Sequence, residues 1–404
     1  MRRSGAGALG GSIPTGVWYW TPAQLAAYDG PGFTQRDPIQ RAYPPYWFEL
    51  KEKDTAAYVQ ADFKGEAWSA NVGLRYVRTT EDTVTWVPLA CSASIPPSAN
   101  PCPANTPGLV VGSLFGAYAG VPVDKTYNDV LPSANLKLDL TKDLVGRLAV
   151  AQTMTRADYS ALASSTSLTP PANYPGTGSG TGSNPLLKPI RSTNYDAGLE
   201  WYFAPRSLLG ATLFYMDLRN YIGYGTETLS YPTSGSAAAG FPPGIVQVPY
   251  LLTVPINTQG RAQGVEFTYQ QAFGQFGIDA NYTFTDAKQS SDVPPGGDNR
   301  LVGASKNTYN ISGYYENAHF SARVSYNYRS AFYSGLDRST AFSQDSIGTL
   351  AASLAWLVNE NLSVNLDGQN LNDPTLKYYA LNTTQPRAFY KNGRQYYLSV
   401  RAKF

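Results

Sequence analysis

Alternation with a period of two runs through this chain, and helical periodicity is almost absent. Trp68, Ala70, Val72, Leu74 and Tyr76 alternate with Ser69, Asn71, Gly73 and Arg75. Phe276, Ile278, Ala280, Tyr282 and Phe284 alternate with Gly277, Asp279, Asn281, Thr283 and Thr285. The same holds for Phe320, Ala322, Val324, Tyr326 and Tyr328 against Ser321, Arg323, Ser325, Asn327 and Arg329. It holds again for Leu362, Val364 and Leu366 against Ser363, Asn365 and Asp367. One face of each such strand is apolar, and the other carries charges and amides. Strands are expected near 54–64, 67–79, 126–140, 143–155, 193–204, 207–222, 260–272, 275–287, 305–316, 319–331, 346–358, 360–371 and 392–404. Around Leu148–Thr155 and Leu208–Leu218 the alternation blurs, and those faces stay unassigned.

The connections alternate between short and long. Short turns fall at Lys64-Gly65-Glu66, Lys142-Asp143, Pro205-Arg206, Gly274-Gln275, Asn317-Ala318 and Asn359-Glu360. Long connections, near 80–125, 156–192, 223–259, 288–304, 332–345 and 372–391, are rich in Gly, Pro, Ser, Asn and Tyr. Tight turns on one side and long loops on the other describe an antiparallel transmembrane β-barrel. A soluble sandwich distributes loop lengths less regularly, and no blade-length repeat suggests a propeller. Tyr76, Tyr282, Tyr326 and Tyr328 lie toward strand ends, where rings suit the headgroup level, although Tyr also favours strands generally.

Composition agrees. Charged residues make up 15% of the 404 residues and aromatics 13%, the reverse of a disordered chain. Lys+Arg 31 nearly cancels Asp+Glu 29, so no charge excess points to nucleic acid. Mean hydropathy is −0.28, and no apolar run approaches the ~20 residues of a membrane helix. Enzyme signatures such as GxSxG, HExxH or a P-loop are missing, and the single histidine, His319, cannot build a histidine metal site. Neither catalysis, metal nor cofactor is expected. The Gly-rich run at 176–184 lacks the Lys-Ser/Thr of a phosphate loop and reads as an outer loop. Cys91 and Cys102 bracket a Pro/Ser/Asn-rich segment; they either close it as a disulfide in an oxidising compartment or remain two thiols.

Both ends carry information. Residues 1–50, including Thr15–Glu49, read as part of an extracellular loop, and the barrel region as 51–404. The opening residues are too Gly-rich for a signal peptide, so the natural start is expected upstream. About thirteen strands is odd where bacterial single-chain barrels are even, which fits a barrel lacking its front strands. At the other end Tyr396, Leu398, Val400, Ala402 and Phe404 share one face, and Tyr397, Ser399, Arg401 and Lys403 the other. A final aromatic with another eight positions earlier resembles the signal read by the outer-membrane barrel-assembly machinery.

With these features the chain resembles the C-terminal barrel region of TonB-dependent receptors, particularly the branch abundant in Xanthomonas- and Caulobacter-like bacteria. The matching segments are AAYVQADF (56–63), NVGLRYVRT (71–79), LPSANLKLDLT (131–141) and TMTRADYSAL (153–162). They continue through NPLLKPIRSTNYDAGLEWYF (184–203), LFYMDLRNYI (213–222), GRAQGVEFTYQ (260–270) and DGQNLNDPTLKYY (367–379). Such barrels have about twenty-two strands around a plugged lumen, so these would be roughly the last thirteen. No plug domain and no TonB box is found in the sequence. The resemblance implies a Gram-negative outer-membrane receptor for energy-coupled uptake of a scarce nutrient such as a complex carbohydrate or an iron chelate. Its implied partners are outer-membrane lipid, an extracellular small molecule or oligosaccharide, the assembly machinery, and the TonB complex acting through the plug region. Without that region the chain supplies wall and loops but not coupled transport.

Loop aromatics are the ligand candidates: Trp18, Trp20, Tyr46, Trp47, Tyr224, Tyr333, Tyr378 and Tyr379, with Arg338 as a polar contact. Tyr19, Tyr221 and Asp337 lie among them. The same rings also serve to pack loop on loop. Asp279, Arg323, Arg329, Asp367 and Arg401 are expected to line the lumen or face a plug. Two other functions remain open at this level. A passive porin would show similar strands, and a secreted carbohydrate-binding module would need its apolar faces turned inward.

Overall fold

The computed structural model describes residues 47–89, 117–233, 235–290, 299–337 and 340–403, with islands at 2–3, 18–19, 21, 23–24, 27, 44 and 108–110. One large antiparallel sheet dominates. Thirteen of its sixteen strands follow one another as consecutive neighbours. They are β1 (Glu49–Lys64), β2 (Trp68–Leu89), β3 (Ala117–Asp139), β4 (Leu144–Thr155), β5 (Ile190–Ala204), β6 (Ser207–Thr233) and β7 (Val246–Phe273). After them come β8 (Phe276–Gln289), β9 (Asn307–Glu316), β10 (Phe320–Arg329), β11 (Ile347–Asn359), β12 (Leu362–Gln369) and β13 (Gln395–Ala402). Tight turns join alternate pairs, helped by residues that accept positive φ: Gly274 at 62° and Arg206 at 57°. At the turn before β10, Asn317 Oδ1 accepts from the amides of His319 and Phe320.

The long connections differ from the expectation of irregular loops. β2 and β3 have 22 and 23 residues, and β6 and β7 have 27 and 28. A membrane strand needs only about 9–11, so these hairpins are about twice as long as a bilayer crossing requires. Much of 80–125 and 223–259 is therefore strand. Pro249 and Pro255 interrupt the alternation inside β7, which is why the sequence reads there as loop. Likewise Phe332–Asp337, Thr340–Gln344, Leu376–Ala380 and Pro386–Tyr390, from two connections, build a separate four-stranded sheet.

The register places every strand in a two-faced wall. Val59, Leu74, Pro132, and further along Ala70, Leu136, Leu148 and Ala197, stand opposite one another on one face. β1 and β13 end the sheet, with no further strand on their outer edges among the described residues.

Candidate functional site

The apolar face carries large exposed side chains with no protein layer over them among the described residues. Leu213 is 62% exposed, and Leu398, on β13, 72%. A soluble sheet would cover such a face, and a contiguous exposed apolar band marks a lipid contact. Aromatic rings bound it on both sides. Near the tight turns stand Trp68, Trp201, Phe276, Phe320 and Trp356; nearer the long connections stand Tyr76, Tyr195, Tyr215, Tyr282, Tyr309 and Tyr326. Rings of this amphipathic kind sit at the two headgroup levels.

The opposite face is polar and tied across strands. Arg147 meets Glu200 at 2.7 Å, and Arg323 meets Asp279 at 2.9 Å. Asn135 donates to Asn71 at 2.8 Å, and Asn310 to Asn281 at 2.7 Å. Arg329 donates to Ser305 and to the Gly303 carbonyl, and lies 3.8 Å from the Phe332 ring centroid. Asp367 stands beside Tyr397, and Arg401 beside Ser363.

The two blurred strands now have faces. In β4, Leu148 and Val150 point to the apolar side, while Ala149 and Ala151 stand opposite Asn135 and Ser133 on the polar side. In β6, Phe214, Met216 and Leu218 occupy the polar-side positions. There Leu218 joins Ala262, Ala287 and Leu301 in a small cluster with Met216 packed against it. Apolar residues thus face both ways, and alternation alone cannot show it. Gly264 lets the Phe214 ring in: a Cβ there would stand 2.7 Å from Phe214 Cζ and 1.9 Å from the Phe284 carbonyl oxygen.

Above the band, the connection between β4 and β5 folds onto the sheet. A short helix, α1 (Tyr159–Ala163), starts at Asp158, whose carboxylate accepts from the Ser160 amide at 2.8 Å. These hydrogen bonds from Ser160, side chain and backbone, hold the Asp158 carboxyl below its usual pKa. Leu162, Ala163, Ala157 and Leu187 pack with Leu50 of β1 and Ile222 of β6. Arg156 pairs with Asp54 and, at 3.5 Å, with Glu52; its hydrogen bond to Asp54 raises its own pKa. Thr79 donates to Asp54 at 2.6 Å, and Tyr127 to Glu81 at 2.7 Å. Lys125 reaches Glu81 at 3.5 Å and donates to the Leu187 carbonyl. This network did not stand out in the sequence; the only signal was Glu52, Asp54, Thr79 and Glu81 falling on one face of neighbouring strands.

Further out, Gly178–Thr181 pairs in parallel with Tyr250–Thr253 of β7. Phe241, Val248, Tyr250, Leu252 and Val254 form a buried cluster, with Leu168, Tyr174 and Tyr231 against it. The outer ribbon therefore has its own core.

The candidate ligand residues fall in three places. Trp47 is 42% exposed and packs edge-on to Trp86 at 5.5 Å. Tyr224 is 43% exposed on the β6–β7 ribbon. Tyr333 and Tyr379 both flank Ser343 in the four-stranded sheet, with Tyr333 buried. Tyr378 stacks on Phe342 at 5.1 Å and donates to Gln344. Tyr221 accepts from the Val302 amide through its hydroxyl at 3.1 Å. Tyr396, Leu398 and Val400 stand exposed on β13. The side chains of Trp18, Tyr19 and Asp337, and all of Trp20, Tyr46, Arg338, Phe404, Cys91 and Cys102, lie outside the described residues. No group of acidic, His or Cys residues able to hold a metal occurs among the described residues.

Known proteins show the same architecture. Residues 4–371 match a family model described as TonB dependent receptor-like, beta-barrel. No curated protein sequence matches the chain. Among solved structures, the ferric-catecholate import receptor Fiu from E. coli K12 aligns over 88% of this chain and 45% of its own length, with TM-score 0.59 and 18% identity. The siderophore receptor PirA from Acinetobacter baumannii aligns over 88% and 55%, with TM-score 0.55 and 15% identity. The copper transporter OprC aligns over 88% and 50%, with TM-score 0.56 and 16% identity. The chain spans about half the length of these structures. A two-faced sheet with a bare apolar band, a polar inner face and structured outer ribbons, matched by the family model over most of its length, places the chain in the TonB-dependent receptor-like β-barrel family, which is a family of outer-membrane transport receptors and not of enzymes.

Proposed function

We propose that this chain forms wall and extracellular loops of a TonB-dependent receptor that takes up a scarce nutrient from outside the cell. The observation that carries the reading is the ordered superstructure above the membrane band: the β6–β7 ribbon with its buried core, α1, and the four-stranded sheet. A diffusion pore gains little from such a superstructure, whereas a receptor needs surfaces that hold a ligand before transfer. Three of the fold relatives are described as importing or receiving a ferric catecholate, a siderophore and copper. An iron chelate or another flat or ring-bearing ligand such as a complex carbohydrate suits the exposed rings of Trp47 and Tyr224, with Tyr379 in the four-stranded sheet. Resemblance of the quoted segments to the Xanthomonas- and Caulobacter-type branch favours the C-terminal position within a longer receptor, with the TonB complex acting through a plug outside residues 1–404.

The test is uptake by cells carrying the complete receptor. Accumulation of the ligand should stop when a protonophore collapses the inner-membrane proton gradient, and liposomes containing the receptor should swell hardly at all in small sugars. Rapid swelling, with uptake indifferent to the protonophore, would show a passive porin instead.

A further inference from the structure

We propose that the connection between β4 and β5 is closed onto the wall by a pH-sensitive clasp. In it Glu52 and Asp54 share one proton, and the closure is tightest in mild acid. The clasp lies outside the bilayer: β1 passes the headgroup level at Ala57, which stands beside Tyr76, and Asp54 and Glu52 lie beyond it. Leu50, Glu52 and Asp54 are in register with Thr83, Glu81 and Thr79 on the polar side of the wall, and Lys125 and Tyr127 continue the row on β3. The connection meets this row through Arg156 and through α1, whose Leu162 and Ala163 cluster with Leu50.

The charges of the row do not balance. Three carboxylates, Glu52, Asp54 and Glu81, face two cations, Arg156 and Lys125. Burial raises the pKa of Tyr127, so its phenol stays neutral. Asp158 is turned to Ser160, and Asp129, next along β3, is paired with Arg191. Lys51 and Lys53 point to the other face, opposite Asp82 and Thr80. Glu81 is satisfied by Tyr127 and Lys125, and Asp54 by Arg156 and Thr79. Glu52 is not: Arg156 Nε stands 3.5 Å from its Oε1, and its Oε2 is buried without a hydrogen-bond partner. Asp54 lies within reach, and two carboxylates bond to each other only through a proton that one of them carries. Burial raises the pKa of Glu52 against the pull of Arg156, and the charges of Asp54 and Glu81 add to the rise. Burial acts on Asp54 too, but hydrogen bonds from Arg156 and Thr79 outweigh it and hold that carboxyl low. The first proton therefore goes to Glu52, while Asp54 keeps its charge and its hold on Arg156.

Linkage fixes the sign. Glu52, raised on closure, stabilises the closed form fully below the ordinary glutamate value of 4.5 and ceases to do so as pH rises through the raised value. Asp54, lowered on closure, stabilises it above the ordinary aspartate value of 3.8 and ceases to do so as pH falls through the lowered one. Both contributions are complete between pH 3.8 and 4.5, so closure tightens from neutrality down to 4.5 and fails in stronger acid.

The clasp is independent of the ligand that the receptor takes. The test is hydrogen exchange in the complete receptor in detergent micelles, read by mass spectrometry and corrected for the intrinsic pH dependence of exchange. Peptides covering α1 should exchange more slowly as pH falls from neutrality to 4.5. In E52Q the amide donates to Asp54 at any pH. Exchange in α1 at neutral pH should therefore slow about fivefold, as one added hydrogen bond implies, and acid should slow it no further. E66Q, in the tight turn before β2, should behave as the parent, and β8 should follow neither pH nor variant. Unchanged or faster exchange in neutral E52Q, no slowing of the parent down to pH 4.5, or an acid effect that survives in E52Q would overturn the proposal. So would the E52Q effect appearing in E66Q, or a parallel change in β8.

Discussion

At the scale of the residue, position relative to the bilayer decides what a side chain may be. Leu213 faces lipid in the apolar band of β6, between Ala211 and Tyr215. Replacing it by Arg should cost about 1–3 kcal/mol, between the interfacial and the midplane cost of a charge on the lipid face. Ser325→Arg, facing the polar side beside Ser312 and Ala351, should cost far less. Urea midpoints in detergent would separate the two, and equal losses would contradict the assignment of faces. Gly264 answers to packing instead. The Cβ of Gly264→Ala would press on both the Phe214 ring and the Phe284 carbonyl, so the variant should lose about 1–3 kcal/mol of stability in the same measurement. Alternation left the face of Leu213 unassigned, because Thr212, Phe214 and Met216 on the other side are not uniformly polar. Only pairing with β5 and β7 decides it.

At the scale of the element, strands were legible where the membrane imposes a rule. Between the tight turns and the tyrosine level, every second residue must tolerate hydrocarbon, and that demand writes the period into the sequence. Past the tyrosines no lipid enforces it. There the ribbons obey their own small cores, and Pro, Gly and Ser intrude without breaking the ladders. The candidate site was legible in part for the same reason. Aromatic residues mark outer segments by composition, but whether Tyr333 is buried or Tyr224 exposed depends on partners far away in the chain. Tyr250 shows what holds such a ribbon. It is 1% exposed, its hydroxyl lies 2.8 Å from Thr233 Oγ1, and it meets Tyr231 edge-on at 5.9 Å. Tyr250→Ala should cost the ribbon about 3–5 kcal/mol. Limited proteolysis should then cut within 156–189 on the order of a hundred- to a thousandfold faster, while the gel migration of the folded wall stays unchanged. Loss of both together would mean that ribbon and wall unfold as one.

At the scale of the whole molecule, two rims of different character follow from the connections. The tight turns need little more than Gly274, Arg206 and Asn317, while the other rim carries nearly all the buried apolar clusters. This asymmetry fixes an orientation that cells can report. An epitope inserted at Gly244, where φ is 96° and a Cβ would touch nothing within 4 Å, should be seen by antibody on intact cells expressing the complete receptor. The same epitope at Lys142 should be seen only after the outer membrane is permeabilised. The reverse pattern would invert the wall.

The parallel pairing of Gly178–Thr181 with β7 has a mechanical consequence. Where β8 stops, the upper edge of β7 would otherwise stand bare, and a segment from before β5 takes that edge. The segment belongs to the same connection that carries α1 and Arg156, which are moored to β1 by Leu50, Asp54 and Glu52. The ribbon is thus guyed from two directions, by its own roots in the wall and by a strap running back to the far side of the sheet. A push on the ribbon tip is transmitted as tension to β1, so the outer half of β6–β7 cannot swing alone: it moves with the strap or it tears the ladder.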